Sequence, residues 1–302
     1  MKLKFNQINK YFDTHHVLKD ISFEVNSGQI FGYLGRNGAG KTTSIRILMD
    51  VFKANSGTIT IDGKPFKPED YRIGYLPEER GMYSKTRVID QLVYFSMLRG
   101  ATKDEALTSV KHWAKRFKIE DYLDRKLETL SKGNQQKVQI TQAFLNNPDI
   151  LILDEPFSGL DPVNSQVFQD ALTEFIAEDK IIIFSSHQMS YVETFCDDIA
   201  IINQGTIVLN GSLKEIKKEL GKDKIQIAAH NYTHKDLMNI LAQKDIRVDL
   251  DDKSVIVQLP ESMSKKEWMR SIVESDIDVK LLSDYEPSLQ DIFVGKVGDH
   301  NE

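Results

Sequence analysis

The chain has 302 residues, 40% hydrophobic and 28% charged, enough for one large domain with its own core and a smaller second one. A formal net charge of -6, with both signs interspersed, supplies no basic face, so no nucleic-acid partner is expected. The single cysteine, Cys196, excludes an intrachain disulfide and points to a reducing compartment.

The amino terminus, MKLKFNQINKYF, has no apolar signal core. The longest apolar runs, ILIL at 150–153 and IIIF at 181–184, are strand-length and far short of a membrane span. A cytoplasmic chain is expected, with any membrane association made through a partner. LKFNQI, ISFEV and IFGYL read as strands, the last running into a glycine-rich turn and a helix from about Lys41 to Met49. GTITID and RIGYL read as further strands. From about Thr86 to Asn147 the pattern turns helical, as in VIDQLVYFSMLRG and KDEALTSVKHWAKRF. DILILDE, a helix from about Pro162 to Ala177, and KIIIFSSH then alternate, which argues for an α/β parallel sheet with crossover helices and a helical insertion.

Beyond about Gly221 the character changes. KIQIAAH to DIRVDL is echoed by SVIVQLP to DIDVKLL, each half reading strand, helix, strand. Thr233 with Asp236, and Ser264 with Glu267, have capping-box spacing. Two such halves predict a small ferredoxin-like α+β module. It carries no nucleophile–base pair or metal-ligand cluster, so a regulatory or interface role is expected there.

GRNGAGKTT at 35–43 fits Gly-x-x-x-x-Gly-Lys-Thr, after a strand and before a helix. Its glycines let backbone N–H groups turn toward phosphate oxygens, and the helix amino terminus adds partial positive charge. Lys41 can reach the β- and γ-phosphates, and the Thr42 hydroxyl can ligate Mg²⁺. ILILDEP at 150–156 delivers Asp154 to a strand end, placed to hold Mg²⁺, with Glu155 next to it as the group that polarises the attacking water. His187 ends the strand KIIIFSSH, where a lone histidine is more often structural or solvated; on an adjacent parallel strand it would share the edge with Asp154.

These residues resemble the ATP-binding-cassette (ABC) ATPases over about residues 2 to 218. GRNGAGKTT resembles the Walker A loop, ILILDE the Walker B strand, SGLD at 158–161 the D-loop and SSH at 185–187 the switch histidine. LSKGNQQKV at 130–138 looks like the family signature, and Tyr11 falls where the family stacks an aromatic on adenine. The resemblance implies a P-loop ABC ATPase core, a RecA-like sheet with an antiparallel β subdomain and a helical subdomain at about 86–147. That core would occupy residues 1–220, followed by the accessory α+β domain at 221–302. It implies ATP and Mg²⁺ as cofactors. Nucleotide contacts would come from Tyr11, from Gly35, Arg36, Asn37, Gly38, Ala39, Gly40, Lys41, Thr42 and Thr43, and from Asp161. Glu155 and His187 would be catalytic, and Thr42 and Asp154 metal ligands.

In the family, Ser131 and Gly133, with Lys132 and Asn134 beside them, would bind the γ-phosphate of ATP held by a second subunit. Two copies would then close head to tail over two ATP molecules. Lys132 stands where a glycine is usual and Asn134 where a glutamine is usual. Glu78 stands at the Q-loop glutamine, a catalytic and Mg²⁺-contacting position, and brings negative charge toward the triphosphate. Residues of about 78 to 100, Tyr83 among them, would form the groove for a multi-span permease subunit.

The tail, ending EPSLQDIFVGKVG, resembles the domain appended to bacterial ABC-2-type exporter ATPases, including sodium-efflux and antibiotic-resistance members. The expectation is the motor subunit of an exporter, peripheral on the cytoplasmic face of the cell membrane. The alternatives are a soluble ABC ATPase acting on ribosome or DNA, and an ATP-binding regulatory module with weak turnover.

Overall fold

The computed structural model describes residues 1–79, 81–176, 179–242, 246–250, 254–260 and 263–298. It divides into two compact units, Met1–Leu213 with the chain from Phe293 onward, and Lys214–Ile292.

The first unit opens with a hairpin of β1 (Lys2–Phe12) and β2 (His15–Asn26), then passes through β3 (Gln29–Leu34) into α1 (Lys41–Leu48). β4 (Ser56–Ile61), β5 (Lys64–Pro65) and β6 (Ile73–Leu76) follow. The helical stretch comprises α2 (Val88–Leu98), α3 (Lys103–Arg116) and α4 (Lys132–Phe144). β7 (Ile150–Asp154), α5 (Pro162–Ile176), β8 (Ile181–Ser186), α6 (Met189–Phe195), β9 (Asp198–Asn203) and β10 (Thr206–Ser212) come next. The expected last residue of α5, Ala177, lies outside the described residues.

Two sheets result. β2-β1-β4-β5 form an antiparallel sheet, and β10-β9-β3-β8-β7-β6 a six-stranded one whose strands are parallel except for β10 at its edge. β7 and β8 are buried along their whole length, as their unbroken Ile/Leu/Phe runs require of strands covered on both faces. Phe23 bridges the sheets, its ring 4.4 Å from Phe5 on β1 and 5.2 Å from Phe31 on β3. The helices pack around a second aromatic cluster of Trp113, Phe117, Phe144, Phe168 and Phe175. Thr102 and Glu105 close a capping box that starts α3.

α4 lies directly on β6, and Gly74 permits it: a Cβ there would overlap the backbone carbonyl of Ala143. Backbone cannot yield as a side-chain end can. Gly74→Ala is expected to cost about 3 kcal/mol, read as a lower urea midpoint at unchanged slope; an unshifted midpoint would mean that α4 can lift from the sheet.

α7 (Leu213–Leu220) leads to the second unit's β11 (Lys224–Ala229), α8 (His234–Ala242), β12 (Arg247–Leu250), β13 (Val255–Gln258), α9 (Lys265–Val273) and β14 (Val279–Asp284), and α10 (Leu289–Gly298) follows. The strand order β12-β13-β11-β14, antiparallel throughout, is that of two interleaved split βαβ units, the ferredoxin-like arrangement. Ile225, Ile227, Leu237, Val257, Trp268 and Ile272 form its core. Both capping pairs expected here form: Ser264 with Glu267, and Thr233 with Asp236.

Candidate functional site

Register places the candidate residues. β3, β8, β7 and β6 are parallel neighbours, with Leu34 opposite Ser186, Asp154 opposite Ser185 and Leu76 opposite Leu153. The residues that leave these strands therefore emerge in one row at the carboxyl edge: Gly35, His187, Glu155 and Pro77, with Glu78 next. This is the edge at which open α/β sheets bind ligands.

Gly40 is the N-cap of α1 with φ 116, and a Cβ on it would lie 2.6 Å from Leu18 Cδ2, so only glycine fits. No side chain caps α1, so its first N–H groups stay available to an anion; at the start of α4 the Ser131 hydroxyl takes only the Asn134 N–H. Arg36, Asn37 and Gly38 are exposed at the loop crest, while Ala39 and Lys41 are buried and Thr42 and Thr43 half-buried. Lys41 Nζ donates to Gly35 O at 2.6 Å. Burial pulls the Lys41 pKa down, and the charges of Glu155, Asp154 and Glu78 oppose that pull.

Asp154 is 2% exposed and accepts from the Ser185 hydroxyl. Burial pushes its carboxyl up against that hydrogen bond, with Glu78 and Glu155 raising it further and Lys41 lowering it. Glu155, 6% exposed, has φ 52, in the left-handed region. Its Oε1 accepts from the His187 backbone N–H at 2.7 Å and lies 2.7 Å from His187 Nδ1, and its Oε2 accepts from the Ser186 hydroxyl at 3.1 Å. The His187 side chain is otherwise 62% exposed.

The register thus brings three carboxylates and one ammonium to the same edge, an excess of negative charge that a hard divalent cation fits. Among the described residues no three His, Cys, Asp or Glu side chains converge to hold an ion alone. Asp154, Thr42 and Glu78 would each supply an oxygen, only part of a shell, which suits Mg²⁺ completed by phosphate oxygens.

Tyr11 stacks face to face on His16, ring centroids 4.0 Å apart, and is 42% exposed. His16, which holds that ring, was not singled out from the sequence. Ser131 caps α4, accepting from the Asn134 N–H at 3.3 Å, and is exposed together with Lys132. Asp161 accepts from the Asn164 N–H at 2.8 Å, and this bond leads in holding its carboxyl below the usual range. Gln136 Nε2 donates to Pro156 O at 3.1 Å, tying α4 to the segment that follows Glu155. Among the described residues no hydrogen bond or ion pair joins Ser131, Lys132, Gly133 or Asn134 to the 35–43 loop. Ser185 and Ser186 were read only as the frame of the SSH motif, with no role of their own; their signal was two hydroxyls directly before His187, on the strand beside Asp154.

Residues 18–158 match the family model "ABC transporter", and residues 211–297 match "ATP-binding protein DrrA1-3-like, C-terminal domain". The chain is 37% identical over 303 residues to the uncharacterized ABC transporter ATP-binding protein YhaQ of Bacillus subtilis, covering 98% of each. It is 31% identical over 230 residues to the Nod factor export ATP-binding protein I of Burkholderia thailandensis, covering 74% of this chain and 76% of that one. A solved ATP-binding subunit of an ABC transporter aligns at TM-score 0.67 and 30% identity, over 73% of this chain and 94% of that one. The edge-of-sheet geometry and these likenesses agree: the chain belongs to the ABC transporter ATP-binding proteins, a family of ATPases.

Proposed function

We propose that the chain is the ATP-hydrolysing motor of a bacterial exporter, closing as a head-to-tail dimer over two MgATP and driving a separate permease. The observation that carries the shared-site reading is the exposed Ser131 at the α4 amino terminus, unconnected to the chain's own phosphate loop. A second anion seat that does not serve the first is what a partner's nucleotide requires. The direction of transport draws on the DrrA1-3-like C-terminal domain and the Nod factor export relative.

In this reading Lys41 and the α1 N–H groups hold the β- and γ-phosphates, and Thr42, Asp154 and Glu78 hold Mg²⁺. The ion, when bound, neutralises charge developing on the phosphoryl oxygens. Glu155 accepts a proton from the attacking water, and His187 holds Glu155 through Oε1. Tyr11 and His16 present a stacked aromatic platform to the adenine. Ser131 and Gly133 reach the partner's γ-phosphate, and Asp161 lies at the seam.

The permease would seat in a cavity of about 370 Å³ lined by Met49, Tyr75, Pro77, Met82, Phe95 and Arg99. Exposed Tyr83, Tyr94 and Leu98 add apolar surface along the same stretch of chain. No helix among the described residues is long and apolar enough to cross a membrane, so cargo passage falls to that partner. The test is to tag the protein, solubilise native membranes in mild detergent and identify what co-purifies. A stoichiometric multi-span protein supports the motor reading. Recovery with ribosomes, DNA or nothing overturns it.

A further inference from the structure

Strand geometry sends successive side chains to opposite faces. Because β7 and β8 pair Asp154 with Ser185, the next residues along the edge are Glu155 and Ser186. Each acid has its own hydroxyl: Ser185 donates to Asp154, and Ser186 to Glu155 Oε2 at 3.1 Å. The Ser186 hydroxyl is not free to rotate away. It accepts from the Gln188 N–H at 3.0 Å, which leaves its single proton for Glu155. Ser186 is 1% exposed, so water does not compete for the bond.

Glu155 is fixed from three sides. Its backbone N–H donates to Ser185 O at 2.9 Å while φ sits at 52, a conformation an L-residue keeps only when its surroundings impose it. Oε1 accepts the His187 backbone N–H and has His187 Nδ1 against it at 2.7 Å. Oε2 takes the Ser186 hydroxyl alone, and is therefore the less crowded oxygen, with a lone pair to spare.

We propose that Ser186 is a positioning residue for hydrolysis: its hydroxyl sets the plane of the Glu155 carboxylate so that the remaining lone pair of Oε2 meets the attacking water. This rests on the reading of Glu155 as proton acceptor given above. In the step, the water oxygen forms a bond to the γ-phosphorus as the bond from that phosphorus to the ADP oxygen breaks. The proton leaving the water goes to Oε2, and Ser186 keeps its own proton throughout. Ser186 acts on the orientation of the acceptor and not on nucleotide binding.

The experiment compares Ser186→Ala, Ser186→Thr, Glu155→Gln and the Ser186→Ala/Glu155→Gln double variant. Read out are steady-state kcat and KM for MgATP, single-turnover rates, affinity for a fluorescent ATP analogue, and thermal midpoint. Ser186→Ala should lower kcat about ten-fold with KM and analogue affinity within about two-fold. Ser186→Thr, which keeps the hydroxyl, should return to within about three-fold of the native rate. In the Glu155→Gln background Ser186→Ala should cost nothing further, since there is no acceptor left to aim. If Ser186→Ala unfolds at the assay temperature, Ser186→Cys carries the test, its weak donor giving an intermediate rate with unchanged affinity.

Equal losses in both backgrounds, a loss confined to KM, or failure of threonine to restore the rate would each overturn the proposal. Glu155→Gln with near-native turnover would instead overturn the reading of Glu155. An inactive Glu155→Gln beside an undiminished Ser186→Ala would remove the role of Ser186 alone.

Discussion

Glu155→Gln is expected to lower the steady-state ATPase rate about 1,000-fold, equivalent to ~4 kcal/mol of barrier, with MgATP affinity within about two-fold of native. The substitution changes little in shape. An amide oxygen at the Oε1 position can still accept the His187 N–H, now made at 2.7 Å. What is lost is the capacity to take a proton, and that loss acts only as the reaction proceeds. Phosphate release set against titration with a fluorescent nucleotide separates the two quantities. A variant with more than about a tenth of native turnover would move the acceptor to another residue.

The second large effect lies in binding. Lys41→Ala is expected to weaken nucleotide affinity about 100-fold or more, ~3 kcal/mol. Lys41 is the ammonium on which Glu155, Asp154 and Glu78 all act, and its Nζ reaches Gly35 O inside the loop that would receive the phosphates. Without it three carboxylates would face a triphosphate with only the metal to offset them. Glu78 sharpens the effect, because the position adds charge where the family usually has a neutral amide. Lys41→Arg should not restore affinity, since a planar guanidinium cannot occupy the pocket of a compact ammonium. Native affinity in Lys41→Ala would place the triphosphate elsewhere.

The features legible in the sequence are those set by contiguous residues. Gly35 to Thr43 declare a turn and a helix start in nine positions, directly after the strand IFGYL, and ILILDE announces a strand buried on both faces with its acids at the end. The doubled strand–helix–strand pattern after Gly221 was readable for the same reason, and the strand order β12-β13-β11-β14 is the arrangement it called for. What was not legible depends on register or on close approach. Ser186 meets Glu155 because β7 and β8 pair in one particular register and because the backbone of Glu155 turns to a positive φ. Gly74 looks like a weak point in a strand until α4 is packed across it. His16 carries no motif of its own, yet its ring lies flat on Tyr11. None of these contacts leaves a periodic trace in the chain.

The shared-site reading is tested most directly by the solution mass of the Glu155→Gln protein, measured by light scattering with and without MgATP. Without nucleotide the 34.5 kDa chain should run as a monomer, and with MgATP it should shift to about twice that mass, because the nucleotide would bridge two chains and the variant would not hydrolyse it. Ser131→Arg should abolish the shift while leaving ATP binding to the chain's own loop intact. A Glu155→Gln protein saturated with MgATP that remains at the monomer mass would contradict a nucleotide held between two copies.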